Sequence, residues 1–283
     1  MRKGFTVVEV VFVVVMLGIL AVAAIWTMPR TELKQATESM INNLKYTKSL
    51  AQLDDRFFGM EDANYFNETT IADKTQAARR QVEHYQCGKW QFQFHQSSGN
   101  SNATNTYTIF ADSAGADSKS FDGKPMDGDS IARDPMTKAC ISGYNDNNLS
   151  SECKNNNFSP EARFGDSFGV EVENITSDDC TYAKNSTFSV FFDSDGMPYC
   201  KAGQSTCTSA NANSLPKRLT KSVTIKLKRK GETSYICITK GGIIDFGNLV
   251  DKDGKPRKTT NNKLRGIPVK DERCQEEDQW LQG

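Results

Sequence analysis

The chain reads as an α+β protein, a long N-terminal helix followed by a β-rich region. Three observations predict it. An apolar run from Phe5 to Ile25 carries one charge, Glu9. Residues 31–53 then repeat apolar positions at helical spacing. From residue 89 onward, short stretches alternate apolar and polar residues in the manner of strands.

The opening segment is the most informative. At ~1.5 Å per residue a helix over the Phe5–Ile25 run reaches ~30 Å, the thickness of a bilayer core. Arg2 and Lys3 precede it and hold the N-terminus on the cytoplasmic side. A secretory signal peptide has a shorter apolar core, although Ala21-Val22-Ala23-Ala24 imitates its cleavage site. A plain membrane anchor accounts for the length and leaves Glu9 without a role, and an acid in such a run is costly. Met28-Pro29 resets the helix. Leu33, Thr37, Met40, Leu44, Thr47 and Ala51 form one stripe, with Asn42, Asn43, Lys45 and Lys48 largely off it. A free-standing coiled-coil stalk is the alternative for this half, but the stripe is short and rich in Thr and Ala.

Strands are expected at Lys89–Phe94, Tyr107–Phe110, Gly169–Val172, Phe188–Phe192, Val223–Lys228, Tyr235–Ile238 and Gly241–Ile244, with Asp193–Gly196 as a turn. The long stretch 97–185 is crowded with Asn, Ser, Asp and Gly and reads as a loop-rich insertion.

Gly4-Phe5-Thr6-Val7-Val8-Glu9, behind its basic head, resembles the class III signal of type IV pilins and type II secretion pseudopilins. The resemblance implies that a prepilin peptidase cuts between Gly4 and Phe5 and methylates Phe5. Glu9 then pairs with the new terminal ammonium of a neighbouring subunit. It implies a pilin-like fold, with a transmembrane half at 5–28 and an amphipathic half at 29–53 packed on an antiparallel sheet. A leader at 1–4 precedes it and a β-rich periplasmic head at 54–283 follows. Phe191-Phe192-Asp193-Ser194-Asp195-Gly196, Val223 to Leu227 and Tyr235 to Ile243 are similar to the minor pseudopilins called GspH/FimT-like. Residues 97–185 and the tail beyond 248 depart from that pattern, while Glu9 distinguishes the chain from the large tip subunits that lack this acid. The implied function is a minor subunit of a short periplasmic filament for protein secretion. Its partners are other pilins, prepilin peptidase, an inner-membrane assembly platform and the membrane itself through 5–25. The implied location is the inner membrane of a Gram-negative bacterium, single-pass, with the head periplasmic.

Composition sets further bounds. The 283 residues carry formal net charge +0, which supplies no global attraction to nucleic acid or anionic lipid. Cys87, Cys140, Cys153, Cys180, Cys200, Cys207, Cys237 and Cys274 all lie beyond the apolar run, where disulfides are expected. Zinc is disfavoured, since no CxxC pair occurs and His84 and His95 lack ligand spacing. The insertion holds Cys140, Cys153 and Cys180, an odd number, so full pairing requires a bridge to the remainder. Cys200–Cys207 is a candidate local bridge, but eight cysteines allow 105 pairings.

Asp193-x-Asp195-Gly196 and Asp251-x-Asp253-Gly254 resemble the start of calcium loops but lack the remaining ligand spacing, so a turn is the expected role. Asp112, Asp117, Asp122, Asp127 and Asp129 form a looser acidic series in which calcium is the only cofactor considered. Lys217, Arg218, Lys221, Lys226, Lys228, Arg229 and Lys230 cluster, and Lys226, Lys228, Arg229 and Lys230 are candidate phosphate contacts for a DNA-uptake pilus. A solvated strand guarded by lysines is the plainer reading. No G-x-S-x-G, HExxH or P-loop occurs, so no catalytic residue is assigned; an anchored periplasmic hydrolase is the enzymatic alternative.

Overall fold

The structure, a computed structural model, describes residues 11–17, 32–54, 75, 79, 82–95, 105–113, 121–143, 150–154, 157–184, 186–203, 206–249 and 266–275. It divides into two units, Met1–Thr31 and Glu32–Gly283. In the first, residues 11–17 are helical.

The second unit opens with α1 (Glu32–Leu53). Its buried residues are Leu33, Ala36, Thr37, Met40, Ile41, Leu44, Thr47 and Ala51. Ala36 and Ile41 widen the stripe read from the sequence, and a broader apolar face can meet two partners rather than one. Buried Thr37 and Thr47 satisfy their hydroxyls within the helix, donating to the carbonyls of Leu33 and Asn43, each at 2.7 Å.

The strands are β1 (Trp90–His95), β2 (Thr106–Ala111), β3 (Ser130–Ile131), β4 (Glu171–Thr176), β5 (Phe188–Phe192), β6 (Pro198–Ala202), β7 (Lys217–Arg218), β8 (Val223–Arg229), β9 (Glu232–Ile238), β10 (Ile244–Leu249), β11 (Ile267–Lys270) and β12 (Arg273–Cys274). A short helix, α2 (Phe164–Phe168), precedes β4 and ends on Gly169 in the left-handed conformation. One six-stranded sheet has the order β3-β2-β1-β5-β6-β7 and the other β12-β11-β10-β9-β8-β4. The first is antiparallel throughout. The second is mixed, because β11 runs parallel to β10.

Helix α1 lies against β1 and β5 of the first sheet and β8, β9 and β10 of the second. Phe92 stands opposite Ile109 and Val190 in the first sheet, and Ile225 opposite Ile236 and Ile175 in the second. All six join α1 in one core. Tyr107 is fully buried there, stacked 4.4 Å from Phe92, and its hydroxyl accepts from Asn43 Nδ2 at 2.7 Å. The turns at 193–196 and 239–242 meet beside the helix. Gly242 has φ +81°, and a Cβ there would come within 2.5 Å of the Gly196 carbonyl oxygen. Lys48 Nζ closes the junction by donating to the Gly242 carbonyl at 2.9 Å.

These findings correct the expected pilin-like fold. The chain builds two sheets rather than one antiparallel sheet, and the amphipathic half is a 22-residue helix beginning at Glu32. Residues 97–185 are more than an addition to the core: besides their loops they supply β2, β3 and β4, and β2 pairs with β1 along its whole length. The transmembrane half and the single-pass inner-membrane location are also withdrawn. Among the described residues no helix is long and apolar enough to cross a membrane.

The cysteines form four bridges: Cys87–Cys207, Cys140–Cys153, Cys180–Cys200 and Cys237–Cys274. Cys180–Cys200 is the link that the odd count in 97–185 demanded. The candidate local bridge Cys200–Cys207 does not form, since both sulfurs have other partners. Cys237–Cys274 ties the strands from the chain's end to the second sheet, where Tyr235, Ile267 and Val269 pack around it.

Candidate functional site

Gly4, Phe5 and Glu9, the processing and assembly residues expected from the sequence, lie outside the described residues. The described helical stretch 11–17 begins two positions after Glu9 in the sequence. Its side chains, from Val11 through Leu17, are all large and apolar, and they are 47% to 63% exposed.

Four members of the basic cluster, Lys221, Lys226, Lys228 and Arg229, pair with acids, Lys221 with Asp178 at 3.0 Å. Lys226 Nζ lies 2.9 Å from Glu173 and 2.8 Å from Glu272, and Lys228 Nζ lies 3.2 Å from Glu173. Arg229 pairs with Glu32 at 3.2 Å and donates to the Phe168 carbonyl at 2.7 Å. The Glu272 and Glu173 carboxylates hold the Lys226 ammonium well above the usual lysine range. Lys230 sits at φ +46° in the turn between β8 and β9. The sequence reading missed these acids because each comes from a distant part of the chain.

Asp193 builds a turn rather than a metal cage. Its Oδ1 accepts from the amides of Asp195 and Met197, and its Oδ2 from the Tyr199 hydroxyl at 3.0 Å. In the acidic series, Asp122, Asp127 and Asp129 likewise accept from the amides of Lys124, Ser151 and Met126. Asp117, Asp251 and Asp253 lie outside the described residues. Among the described residues no group of three or more His, Cys, Asp or Glu side chains is placed to hold a metal.

A different cluster emerges on the outer face of the first sheet. Strand β1 was expected to be half-buried, yet Gln91, Gln93 and His95 are 2%, 2% and 4% exposed. The 121–124 turn and the residues around Cys207 cover this face, held by Cys87–Cys207 and by the Cys207 amide donating to the Phe121 carbonyl at 2.7 Å. Gly123 is fixed from both sides: its amide donates to Asp112 Oδ2 at 2.7 Å, and its carbonyl accepts from Gln93 Nε2 at 3.1 Å. Gln93 Nε2 also reaches Ser189 Oγ at 3.1 Å. Gln91, Gln93, Asp112, Gly123, Ser189 and Lys201 are among the residues enclosing a cavity of about 10 Å3.

The electrostatics of this face follow from burial. Desolvation, reinforced by the nearby Asp129 carboxylate, pushes the Asp112 carboxyl up to about 8, and desolvation pushes Asp129 up to about 6. Burial lowers Lys201 despite the opposing pull of Asp112. His95, with Nε2 3.3 Å from Thr108 Oγ1, is pushed down to about 3 by burial and stays neutral at physiological pH. Nearby, Lys89 is lowered to about 8 by desolvation, partly offset by Asp193. Its Nζ donates to the Tyr85 carbonyl at 2.7 Å and lies 4.0 and 4.8 Å from the Tyr85 and Tyr199 ring centres.

The fold is thus a disulfide-braced, two-sheet α+β unit, and the described part of the preceding unit is an exposed apolar helical stretch. Comparisons with protein-family models, curated proteins and solved structures found no match for the chain.

Proposed function

We propose that the chain is a minor pilin-like subunit, a pseudopilin of a type II secretion or related pilus-like machine, joining a short filament through its N-terminal apolar segment. The observation that carries the reading is the helical stretch 11–17 with its exposed apolar side chains. At ~100° per residue its seven residues pass round the whole helix, so one flat neighbour cannot bury them. A bundle of like helices can. The Gly4-Phe5 junction and Glu9, directly upstream, supply a cleavage point and an acid to pair with a neighbour's terminal ammonium. Breaking a buried pair of that kind costs about 3–5 kcal/mol, enough to reject slipped packing. The partners are other pilin subunits, prepilin peptidase and an assembly platform. The DNA-uptake reading is not carried forward, because Lys226, Lys228 and Arg229 are already matched with acids.

Mass spectrometry of the chain recovered from cells tests the reading. The expected product begins at Phe5 and carries one methyl group; an unprocessed Met1 refutes it. Glu9→Ala is expected to be processed normally and excluded from filaments. Ordinary incorporation of that variant would remove Glu9 from the assembly mechanism.

A further inference from the structure

We propose that a single water molecule occupies the cavity under the 121–124 turn and joins Gln93 Oε1 to Asp112 and Lys201. The inference stands on this geometry alone and is independent of the filament reading. Gln93 Oε1 is shielded from solvent and has no hydrogen-bond partner among the described residues. Its amide cannot be reversed to correct this. Reversal would set the oxygen against the Gly123 carbonyl, which now accepts from Nε2. A buried carbonyl of this kind is ordinarily satisfied by protein or by ordered water.

The cavity decides what the partner is. Its volume, about 10 Å3, suits one water and excludes a hydrated ion or an organic ligand. Its wall carries the cationic side chain of Lys201, which opposes a second cation. Water needs two to four polar partners, and Gln93 Oε1 and Asp112 can accept from it while Lys201 can donate to it. Asp112 and Lys201 are 4% and 7% exposed, so bulk solvent does not compete. The lid is also fastened. Gly123 is bonded through both its amide and its carbonyl, and Cys87–Cys207 holds the adjoining segment. A water beneath it exchanges slowly and links the outer face of the first sheet to its covering turn.

The test is water–amide magnetisation transfer measured by NMR on the full chain in detergent. The expected result is a direct cross-peak between water and the Gly123 amide proton, with the sign of a slowly exchanging internal water. Gln93→Met, of similar length but without the amide, should abolish that cross-peak while peptide mapping still finds the four bridges. No cross-peak in the wild type overturns the proposal. So does its persistence in Gln93→Met.

Discussion

Replacing Asp112 by asparagine should stabilise the protein at pH 8 and change its pH dependence. Asp112 is 4% exposed, and its carboxyl is pushed from 3.8 to about 8, with burial the leading cause. An acid with a raised folded value keeps its proton after the unfolded chain has lost it. Its contribution to stability is therefore present at low pH and lost as pH rises toward 8. The useful window is pH 6.5 to 8. Below it, His95, lowered from 6.5 to about 3, acts in the opposite direction, and Asp129 titrates near 6. Above it, Lys89, lowered from 10.5 to about 8, begins to add stability with rising pH, and Lys201 shares its sign. Across the window one proton per chain at about 1.36 kcal/mol per pH unit gives a loss of about 2 kcal/mol. Asparagine keeps an oxygen to accept from the Gly123 amide and has no proton to lose. Urea unfolding with disulfides intact, at pH 6.5, 7.2 and 8, measures the difference. Wild-type stability should fall across the series and Asp112→Asn should stay nearly level. Equal slopes in the two proteins, or a variant less stable than the wild type at pH 8, would refute the buried-acid argument.

Two further predictions concern the cross-links and the basic strand. Removing Cys87–Cys207, which closes 120 residues, should cost about 5 kcal/mol in the chain-entropy account, against about 3 kcal/mol for Cys140–Cys153, which closes 13. Paired serine variants compared by urea unfolding check the order, and a larger loss from the short loop would contradict it. Lys226→Ala should cost about 1 kcal/mol by leaving Glu173 and Glu272 facing each other, with the loss shrinking at high salt. Its affinity for a DNA duplex, measured by fluorescence anisotropy, should equal that of the wild type. A marked drop would return the basic strand to consideration as a phosphate-binding surface.

Much of the local architecture was legible. The stripe from Leu33 to Ala51 announced α1, because side chains three and four residues apart share a helix face. Phe188–Phe192, the Asp-Gly turn and Val223 to Leu227 marked β5, its turn and β8, since strand and turn preferences are local. The odd cysteine count in 97–185 required a link to the remainder, and Cys180–Cys200 is that link. The polarity of β1 misled. Gln91 and Gln93 alternate with Phe92 and Phe94 as if facing water, but a turn more than twenty-five residues downstream covers them and supplies the Gly123 carbonyl.

By itself the sequence determined the helical stripe from Leu33 to Ala51, the approximate places of β1, β2, β5, β8 and β9, and the turn at Asp193–Gly196. Those features depend on periodicity and turn chemistry within a few residues. Only the tertiary structure decided that α1 meets two sheets, that the strands of 97–185 are divided between them, and that the lysines of β8 are neutralised by Glu173 and Glu272. It also decided that Asp112 and Gln93 are buried against one small cavity. Each of these rests on a partner brought from far along the chain, and the strength of a charge or hydrogen bond depends on the water that partner excludes.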